Sequence, residues 1–378
     1  MIERILNHQI ANNKKSLLLL GPRQIGKTTL LRNFKSDLTI NLAREREYQD
    51  HLSSPSLIED LVERSKARTV FVDEIQRLPS MLNTIQALID EKRLRFFITG
   101  SSARKLKRGQ ANLLPGRVIN KRLFPLTVNE LGYDIDAQDA IQWGFLPGIV
   151  TTEDKDIRQD ILSSYVSNYL KEEIQQEALT RNIAGYSRFL QALPEWNGKV
   201  LDYSKLATKN KLNRFAVHRF FEIFEDTLLG ERIFSSEHFK EVPSVKHPKF
   251  YFFDVGVMNG ILNIFKPSGD YLGAVCETII FNQLNAALAY KNKRYDIKYF
   301  RTHSGIEVDF ILTLENKIFA IEVKANERLG VDDVKGLRYV RKLDSKVVPY
   351  LLHFGKRTFK IENIWCMNWL EGLREIGL

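Results

Sequence analysis

The stretch LLLLGPRQIGKTTLL, residues 17–31, decides the fold class of this chain. Its four leading leucines predict a short buried strand, and the residues from Lys27 onward predict the first turn of a helix. Glycines at positions 21 and 26 let backbone N–H groups curl around an anion, and the helix N-terminus adds a partial positive charge. The stretch therefore predicts a phosphate-binding loop in an α/β sheet, formed by Gly21, Pro22, Arg23, Gln24, Ile25, Gly26, Lys27, Thr28 and Thr29.

Two side chains at the end of this loop predict what it binds. A lysine at position 27 can reach the β- and γ-phosphates of a nucleotide, and the hydroxyl of Thr28 is a ligand for Mg²⁺. The eight-residue pattern also occurs by chance in glycine-rich turns. Its position between a strand and a helix favours a functional loop, with ATP and Mg²⁺ as cofactors.

A pair of acids ends a second apolar run, RTVFVDEIQRLP at residues 68–79. The run predicts a strand that carries Asp73 to the carboxyl edge of the sheet, where its carboxylate can hold Mg²⁺. Glu74 beside it is the candidate general base that polarises the attacking water. The alternative is that the two acids only end a buried strand and cap the helix that follows.

Polar side chains end a third run, LRFFITGSS at residues 94–102. Thr99 and Ser101 are candidates to contact the γ-phosphate or to position the water, or else they form a turn. The segment 103–122 that follows is basic and contains no acid. Its positive residues are Arg104, Lys105, Lys107, Arg108, Arg117, Lys121 and Arg122. Arg117 is the preferred candidate to neutralise charge on a neighbouring subunit's nucleotide, and a basic loop that contacts a phosphate backbone is the alternative.

Five segments, in chain order, resemble AAA-type prokaryotic ATPases of poorly known role: GPRQIGKTTLL, VFVDEIQRLP, FFITGSSARKLKRG, LLPGRV and LFPLTVNEL. Those proteins carry a C-terminal domain related to restriction-endonuclease folds, and the similarity covers nearly the whole chain. It implies an ATPase core of the additional-strand, catalytic-glutamate type, with Asp73 and Glu74 in the two roles given above. One departure is WGFLPGIV, residues 143–150, where the family tends to have Gly-Gly-x-Pro, and how the ATPase joins the next region stays open.

The middle of the chain, residues 201–234, predicts a short helix, a turn and a longer helix, followed by a β-wing. The charged residues between Asp202 and Glu222 are all positive, and basic residues at the start of a second helix are typical of DNA-binding helix-turn-helix motifs. They are Lys205, Lys209, Lys211, Arg214 and Arg219. Phe215 and Phe221 predict that much of the second helix is buried, so a packing module is the alternative to DNA contact.

Near the end of the sequence, GIEVDFILTLENKIFAIEVKA at residues 305–325 predicts a β-hairpin that turns at Glu315 and Asn316. In that register Asp309 lies opposite Glu322. Strand alternation predicts that one face is apolar, with Val308, Phe310, Leu312, Phe319, Ile321 and Val323. The other face carries its charges at one end, namely Glu307, Asp309, Glu322 and Lys324, whereas a solvated face would scatter them.

These clustered acids are candidate ligands for a divalent metal. Asp309, Glu322 and Glu277 on the preceding helix offer the hard oxygen ligands that Mg²⁺ prefers, and Lys324 is a candidate to steer the nucleophile. The arrangement resembles the PD-(D/E)xK nuclease pattern, which implies a fold that cleaves DNA. A retained fold that binds DNA or a partner without cleavage is the alternative.

Composition limits the classes of protein that fit. Of the 378 residues, 44% are apolar and 27% charged, which is typical of a globular protein, and the net charge of +10 favours a polyanionic partner. The apolar runs are far shorter than the roughly 20 residues of a membrane span. Cys276 and Cys366 cannot form a disulfide framework, and no signal-like segment is present, so we expect a cytoplasmic protein with no membrane partner.

Apolar runs that alternate with helical stretches predict five strands of a parallel sheet, at 16–20, 38–42, 69–72, 95–99 and 118–124. We predict three domains: a P-loop ATPase domain over 1–134, a helical region over 135–265 with a winged helix at about 200–255, and a restriction-endonuclease-like α/β domain over 266–378. The favoured function is an ATPase that acts on DNA and couples hydrolysis to the last domain. The alternative is a nucleotide-dependent switch or scaffold in signalling or defence that binds a protein partner. An arginine acting in trans would require a homo-oligomer.

Overall fold

The computed structural model describes residues 2–102, 114–169 and 182–377 of the chain. The chain divides into two compact units, one formed by Met1–Leu126 with Ile223–Leu229 and the other by Thr127–Glu222 with Gly230–Leu378. Four of the basic residues that follow the third apolar run lie outside the described residues, namely Arg104, Lys105, Lys107 and Arg108.

The first unit contains a sheet with flanking helices. Its strands are β1 (Ser16–Leu20), β2 (Leu38–Asn41), β3 (Thr69–Asp73), β4 (Arg95–Gly100) and β5 (Val118–Arg122). Its helices are α1 (Leu6–Ala11), α2 (Lys27–Arg32), α3 (Glu45–Ser53), α4 (Leu57–Ser65) and α5 (Met81–Lys92), and a 3₁₀ turn covers Ile75–Arg77. All five predicted strands are confirmed, and each begins at the predicted residue.

The five strands are parallel and lie in the order β2-β3-β4-β1-β5. β4 therefore separates β1, which precedes the phosphate loop, from β3, which carries Asp73. This is the additional-strand order that the resemblance implies. Because parallel strands all end at one edge, Leu20, Asp73 and Gly100 lie along the same edge of the sheet.

The central strands β1, β3 and β4 of the first unit are almost fully buried because both faces of the sheet are covered, whereas the edge strands β2 and β5 are partly buried. On one face a buried cluster joins Leu18, Val72 and Ile98 to residues of α4 and α5. On the other face Leu19 and Phe97 are buried, and the Phe97 ring lies 5.6 Å from that of Phe34, just after α2. This packing fixes the strand ends that carry the polar residues.

The second unit contains the rest of the secondary structure. Its helices, wholly or in part, are α6 (Ala137–Trp143), α7 (Pro147–Val150), α8 (Lys155–Ser164), α9 (Ile183–Ala192), α10 (Tyr203–Lys209), α11 (Arg214–Asp226), α12 (Val255–Leu262), α13 (Gly269–Tyr290), α14 (Lys335–Leu343) and α15 (Trp369–Glu375). Its strands are β6 (Gly230–Ile233), β7 (Lys249–Phe252), β8 (Tyr295–Arg301), β9 (Glu307–Leu314), β10 (Lys317–Lys324), β11 (Val348–His353), β12 (Phe359–Ile361) and β13 (Ile364–Asn368). A π-helical turn covers Tyr165–Tyr169, and 3₁₀ turns cover Leu193–Trp196 and Val331–Val334.

Helices α10 and α11 follow each other across a short turn, as predicted, and the antiparallel pair β6–β7 comes next. The Asp202 side chain caps α10, and the ring of Tyr203 stacks on that of His218 with centroids 4.0 Å apart. The prediction that Phe215 is buried is wrong, because its side chain is 87% exposed. Phe215 lies in the first turn of α11, whereas the packed face of the helix is formed by residues such as Phe221.

A six-stranded mixed sheet in the order β12-β13-β11-β10-β9-β8 forms the C-terminal part of the second unit. Phe281 of α13 stacks on Phe310 of β9, so α13 covers one face of this sheet. Leu337 of α14 shares a buried cluster with Ile311 and Ala320 and covers the other face.

Helix α13, with 22 residues, is the one helix of the described residues that is long and apolar enough to cross a membrane, and the mean hydropathy of its most apolar 18-residue window is 1.2. However, 67% of its most apolar window is buried inside the protein. Its apolar character is therefore explained by its place in the core.

The predicted hairpin register is confirmed, since Leu314 pairs with Lys317 and Phe310 pairs with Ile321. The predicted sharing of faces is wrong at the start of β9. There the pairing with β8 contains a bulge, and Asp309 and Phe310 together lie opposite Tyr299. Val308 consequently packs in the α14 cluster with Ile311 and not on the face of Phe310. Such a bulge turns a side chain away from strict alternation, and here it redirects Asp309.

Candidate functional site

The phosphate loop lies between β1 and α2 at the carboxyl edge of the first sheet. Gly26 has a φ of 89°, a left-handed conformation that glycine adopts at no steric cost, and α2 begins at the next residue. A Cβ atom at Gly21 would lie 2.5 Å from the carbonyl oxygen of Leu123, so only glycine fits there without movement of the backbone. Within the loop Gly21, Pro22, Ile25 and Lys27 are buried, Arg23, Gly26 and Thr28 are half-buried, and Gln24 and Thr29 are exposed.

Two cations hold the backbone of this loop. The Lys27 ammonium donates to the carbonyl oxygens of Gly21 at 2.9 Å and Pro22 at 2.8 Å, and its side chain is buried. The guanidinium of Arg4 donates to the carbonyl oxygen of Ile25 at 2.9 Å. Arg4 precedes the loop by 17 residues and lies outside its motif, so this contact could not be predicted from the sequence.

Asp73 at the end of β3 links two neighbouring elements. Its Oδ1 atom accepts hydrogen bonds from the hydroxyls of Thr28 at 2.9 Å and Thr99 at 2.5 Å. Burial raises the pKa of the Asp73 carboxyl above its ordinary value, although the two hydrogen bonds act to lower it. A hydroxyl and a carboxylate side by side are oxygen donors that suit Mg²⁺, so Thr28 and Asp73 fit the predicted metal.

Glu74 follows directly and adopts a left-handed backbone conformation with a φ of 60°. Its amide donates to the Thr99 hydroxyl at 3.0 Å, and its carboxylate accepts a hydrogen bond from the side-chain amide of Gln76. That amide also donates to Ser101 Oγ at 2.7 Å. Gln76 thus joins the ends of β3 and β4 and fixes the carboxylate of Glu74. Gln76 was not predicted as a site residue, and the only sequence signal for it was a polar side chain two positions after Glu74.

Arg117 is not brought to the phosphate loop of its own chain. Val118, the next residue, pairs with Ser16 at the start of β1, so Arg117 lies at the opposite edge of the sheet, roughly 15 Å away by strand geometry. Its Nε atom lies 2.7 Å and 2.9 Å from the two carboxylate oxygens of Asp90 on α5. Arg117 therefore cannot act on the nucleotide of its own loop in this conformation, and a role on another subunit stays a prediction.

In the second unit a buried lysine lies among the clustered acids. The ammonium of Lys249, the first residue of β7, lies 2.6 Å from Glu307 Oε1, 3.8 Å from Asp309 Oδ1 and 3.9 Å from Glu277 Oε2. Its side chain is 3% exposed. The hydroxyl of Tyr251 donates to Glu277 Oε2 at 3.1 Å. Lys249 was not predicted as a site residue, and its only sequence signal was a positive charge directly before the buried run FYFF.

The predicted pair on β10 lies beside this cluster. The ammonium of Lys324 donates to Glu322 Oε1 at 3.0 Å and lies 3.8 Å from Asp333 Oδ1. The backbone amide of Val323 donates to Asp309 Oδ2 at 2.8 Å, which ties β10 to the bulge of β9. The structure therefore brings together the four predicted C-terminal site residues, Glu277, Asp309, Glu322 and Lys324.

The pKa values of these groups follow from burial and from mutual charge. Burial, reinforced by Asp309, raises the pKa of Glu277 to about 8, and burial also raises the pKa of Glu322 well above its ordinary range. Burial opposes the charge of Lys249, but the three nearby carboxylates outweigh it and raise the pKa of that ammonium. Glu277, Glu307 and Asp309 thus share one buried cation, Lys249, whereas Glu322 pairs with Lys324.

Acids that lie close together do not by themselves form a metal site, because their oxygens must also point to one common position. Among the residues that the structure describes, no group of three or more histidine, cysteine, aspartate or glutamate side chains has an arrangement that could hold a metal ion. The metal-binding role of Glu277, Asp309 and Glu322 stays a prediction.

Comparison with known families is most informative for the first unit. Residues 13–132 match the family described as an AAA domain. The N-terminal part of the chain is an AAA-type P-loop domain. Residues 135–268 and 272–371 match two families described as domains of unknown function, DUF8612 and DUF4143.

The whole-chain relatives have no assigned role. The uncharacterized protein Rv2008c of Mycobacterium tuberculosis is 26% identical over 327 residues, which cover 82% of this chain and 70% of that protein. The uncharacterized protein MJ1544 of Methanocaldococcus jannaschii is 24% identical over 348 residues, which cover 84% of this chain and 76% of that protein. An uncharacterized protein of Haemophilus influenzae is 21% identical over 93% of both chains.

Among solved structures, the replication initiator DnaA bound to AMPPCP and single-stranded DNA is similar to part of this chain. The sequence identity is 10%, the TM-score is 0.27, and the similarity covers 58% of this chain and 86% of the DnaA chain. A likeness at this level is too weak to transfer any contact of that protein.

Proposed function

We propose that the first unit binds ATP with Mg²⁺ and hydrolyses it. The observation that carries this proposal is the bridge at the carboxyl edge of the sheet, where Asp73 accepts hydrogen bonds from Thr28 and Thr99. The bridge lies next to the buried ammonium of Lys27. A hydroxyl, a carboxylate and a lysine at the N-terminus of a helix form the set that nucleotide hydrolysis requires.

In the proposed mechanism, the loop amides and Lys27 bind the phosphates. Thr28 and Asp73 would hold Mg²⁺, which when bound neutralises phosphate charge. Glu74 accepts a proton from the attacking water as the water oxygen bonds to the γ-phosphorus and ADP leaves. Thr99 holds Asp73 and the amide of Glu74, and Ser101 supports Glu74 through Gln76.

Replacement of the proposed base tests this mechanism. The variant Glu74→Gln is expected to bind ATP as the wild type does but to release phosphate roughly 10²- to 10⁴-fold more slowly, because it lacks a general base. A phosphate-release assay alongside nucleotide binding checks both properties. Hydrolysis at the wild-type rate would show that Glu74 is not the base.

We further propose DNA as the macromolecular partner of the ATPase. At the start of α11 the exposed Phe215 is flanked by exposed cations, namely Lys211 and Arg214, and Lys205 and Lys209 on α10 are exposed as well. Cations that neutralise phosphates with an aromatic ring that can stack on a base are typical of nucleic-acid surfaces. Arg117 acting on a second subunit's nucleotide would make the ATPase a homo-oligomer.

A second candidate function is a nucleotide-dependent switch or scaffold that binds a protein partner. The specific observation in its favour is Lys249, which lies among the acids that a nuclease would use for metal. Under this hypothesis ATP exchange is slow, DNA leaves turnover unchanged, and the C-terminal sheet serves as a docking surface. The cytoplasm suits either candidate, since Cys276 and Cys366 are both free and buried.

A further inference from the structure

The carboxylate cluster of the second unit already contains a cation. Three acids from two elements, Glu277 of α13 and Glu307 and Asp309 of β9, surround the Nζ atom of Lys249 at distances from 2.6 to 3.9 Å. The lysine comes from a third element, β7. The convergence of these elements on one buried ammonium is a property of the fold and not of one flexible side chain.

Lys249 cannot leave this position easily. Its backbone pairs with Ile233 of β6, and its side chain is 3% exposed, so no short movement takes the ammonium to water. The ammonium also lies 5.6 Å from the centre of the Tyr299 ring, on the strand that faces the bulge of β9. A surface lysine would be free to turn away, whereas this one is enclosed.

An ammonium in this place is incompatible with a divalent metal on the same acids. Mg²⁺ and Mn²⁺ bind carboxylate oxygens at about 2.0–2.2 Å. A metal at that distance from Asp309 and Glu277 would lie within a few ångströms of Nζ, because Nζ is 3.8 Å and 3.9 Å from the same carboxylates. Two cations so close in a buried site repel each other strongly.

We propose that Lys249 takes the place of a divalent cation in this cluster, so that the second unit is a metal-independent module with no metal-dependent nuclease activity. The acids keep the positions that resemble a nuclease pattern because they neutralise the lysine and join β7, β9 and α13. This inference does not depend on ATP hydrolysis in the first unit.

Binding of Mn²⁺ to the full chain, measured by electron paramagnetic resonance without nucleotide, tests the proposal. All proteins carry Asp73→Asn, so that the predicted metal site of the first unit lacks its carboxylate ligand. The parent and its Asp309→Asn derivative are expected to bind the same number of Mn²⁺ ions. Lys249→Met is expected to gain one Mn²⁺ per chain, bound at least about 10-fold more tightly than any ion on the parent, and the Lys249→Met/Asp309→Asn pair is expected to lose it.

A matched control is Lys298→Met, which removes another lysine that lies over an aromatic ring, Phe234, but has a single acid nearby, Asp296 at 3.8 Å. This variant is expected to gain no Mn²⁺. A parent protein that binds one more Mn²⁺ than Asp309→Asn would overturn the proposal, as would a folded Lys249→Met that gains none. If Lys249→Met does not fold, the comparison of the parent with Asp309→Asn still decides between the outcomes.

Discussion

The carboxylate of Glu74 is held by Gln76, a residue of the same segment for which no role was predicted. The same amide group donates to Ser101, just after β4, so the proposed base is linked to the strand that lies beside β1. A catalytic carboxylate contributes only when its oxygen is in line with the water, and a shift of about 1 Å costs a large factor in rate.

The variant Gln76→Ala is therefore expected to lower kcat for ATP roughly 10-fold and to leave KM nearly unchanged, because Gln76 positions the base but does not contact the loop. Steady-state phosphate release measures both constants. The matched control is Gln86→Ala on α5, which is expected to have no effect. An increase in KM with kcat unchanged would assign Gln76 to nucleotide binding instead.

At this scale the sequence was sufficient to predict where residues of a contiguous motif lie, such as Lys27, Asp73 and Glu74, while their roles stay predictions. It was insufficient for Gln76, Arg4 and Lys249, since their partners are distant in the chain or depend on which strands are neighbours. Lys249 is the clearest case. A lone lysine before an apolar run gives no sign that three acids from other elements will enclose it.

Among the secondary-structure elements, the N-terminus of α12 depends on a buried acid. The Asp254 carboxylate accepts hydrogen bonds from the amides of Phe145 at 2.7 Å and Val257 at 3.1 Å, and so joins the segment after α6 to α12. Burial raises the pKa of Asp254 from 3.8 to about 6, although these hydrogen bonds oppose the shift. The folded state therefore binds a proton that the unfolded chain releases.

Between pH 4 and pH 6 the free energy of unfolding is expected to fall as pH rises, because a raised folded-state pKa makes the unfolded chain the poorer proton binder. The contribution of Asp254 is at most about 3 kcal/mol. Asp254→Asn is expected to remove it and flatten the pH profile measured by denaturant unfolding.

The matched control for this prediction is Asp202→Asn at the exposed cap of α10. Hydrogen bonds from the backbone lower the pKa of Asp202, so its contribution has the opposite sign and is lost as pH falls. Profiles of Asp254→Asn and wild type with the same slope would show that Asp254 is not the group responsible.

Element type and register were also predictable, but only where periodicity is regular. The five strands of the first sheet and the β9–β10 hairpin were predicted because buried parallel strands are continuous apolar runs and a hairpin fixes its own register. Alternation failed at Asp309 and Phe310, since a bulge depends on the partner strand β8 and leaves no mark in β9 alone. The exposure of Phe215 could not be derived from the sequence, because α11 is rich in phenylalanine and each of these side chains could pack in a hydrophobic core.

At the scale of the whole molecule, the net charge of +10 favours a polyanionic partner, and the exposed cations indicate which surface would bind it. The start of α11 combines Arg214 and Lys211 with the exposed ring of Phe215. If this surface contacts DNA, DNA binding is expected to weaken as the salt concentration rises. DNA is also expected to change the rate of ATP hydrolysis by the first unit.

Duplex and single-stranded DNA are expected to raise ATP turnover of the wild type. The double variant Arg214→Ala/Phe215→Ala is expected to weaken DNA binding and to lower its salt dependence by about one released ion, because one phosphate contact is lost. Fluorescence anisotropy at several salt concentrations and phosphate release provide the two measurements. Lys356→Ala, an exposed cation elsewhere in the second unit, is the control. If neither duplex nor single-stranded DNA changes the rate of ATP hydrolysis, the second candidate function, a switch or scaffold, is favoured.

Titration calorimetry of ATP with Mg²⁺ into the full chain tests nucleotide binding by the phosphate loop most directly. The wild type is expected to bind one ATP per chain. Lys27→Ala is expected to bind at least about 10-fold more weakly, because a hydrogen bond to a charged group contributes about 1.5–3 kcal/mol. No heat of binding with the wild type, or equal affinity in Lys27→Ala, would contradict the assignment of this loop as the ATP site.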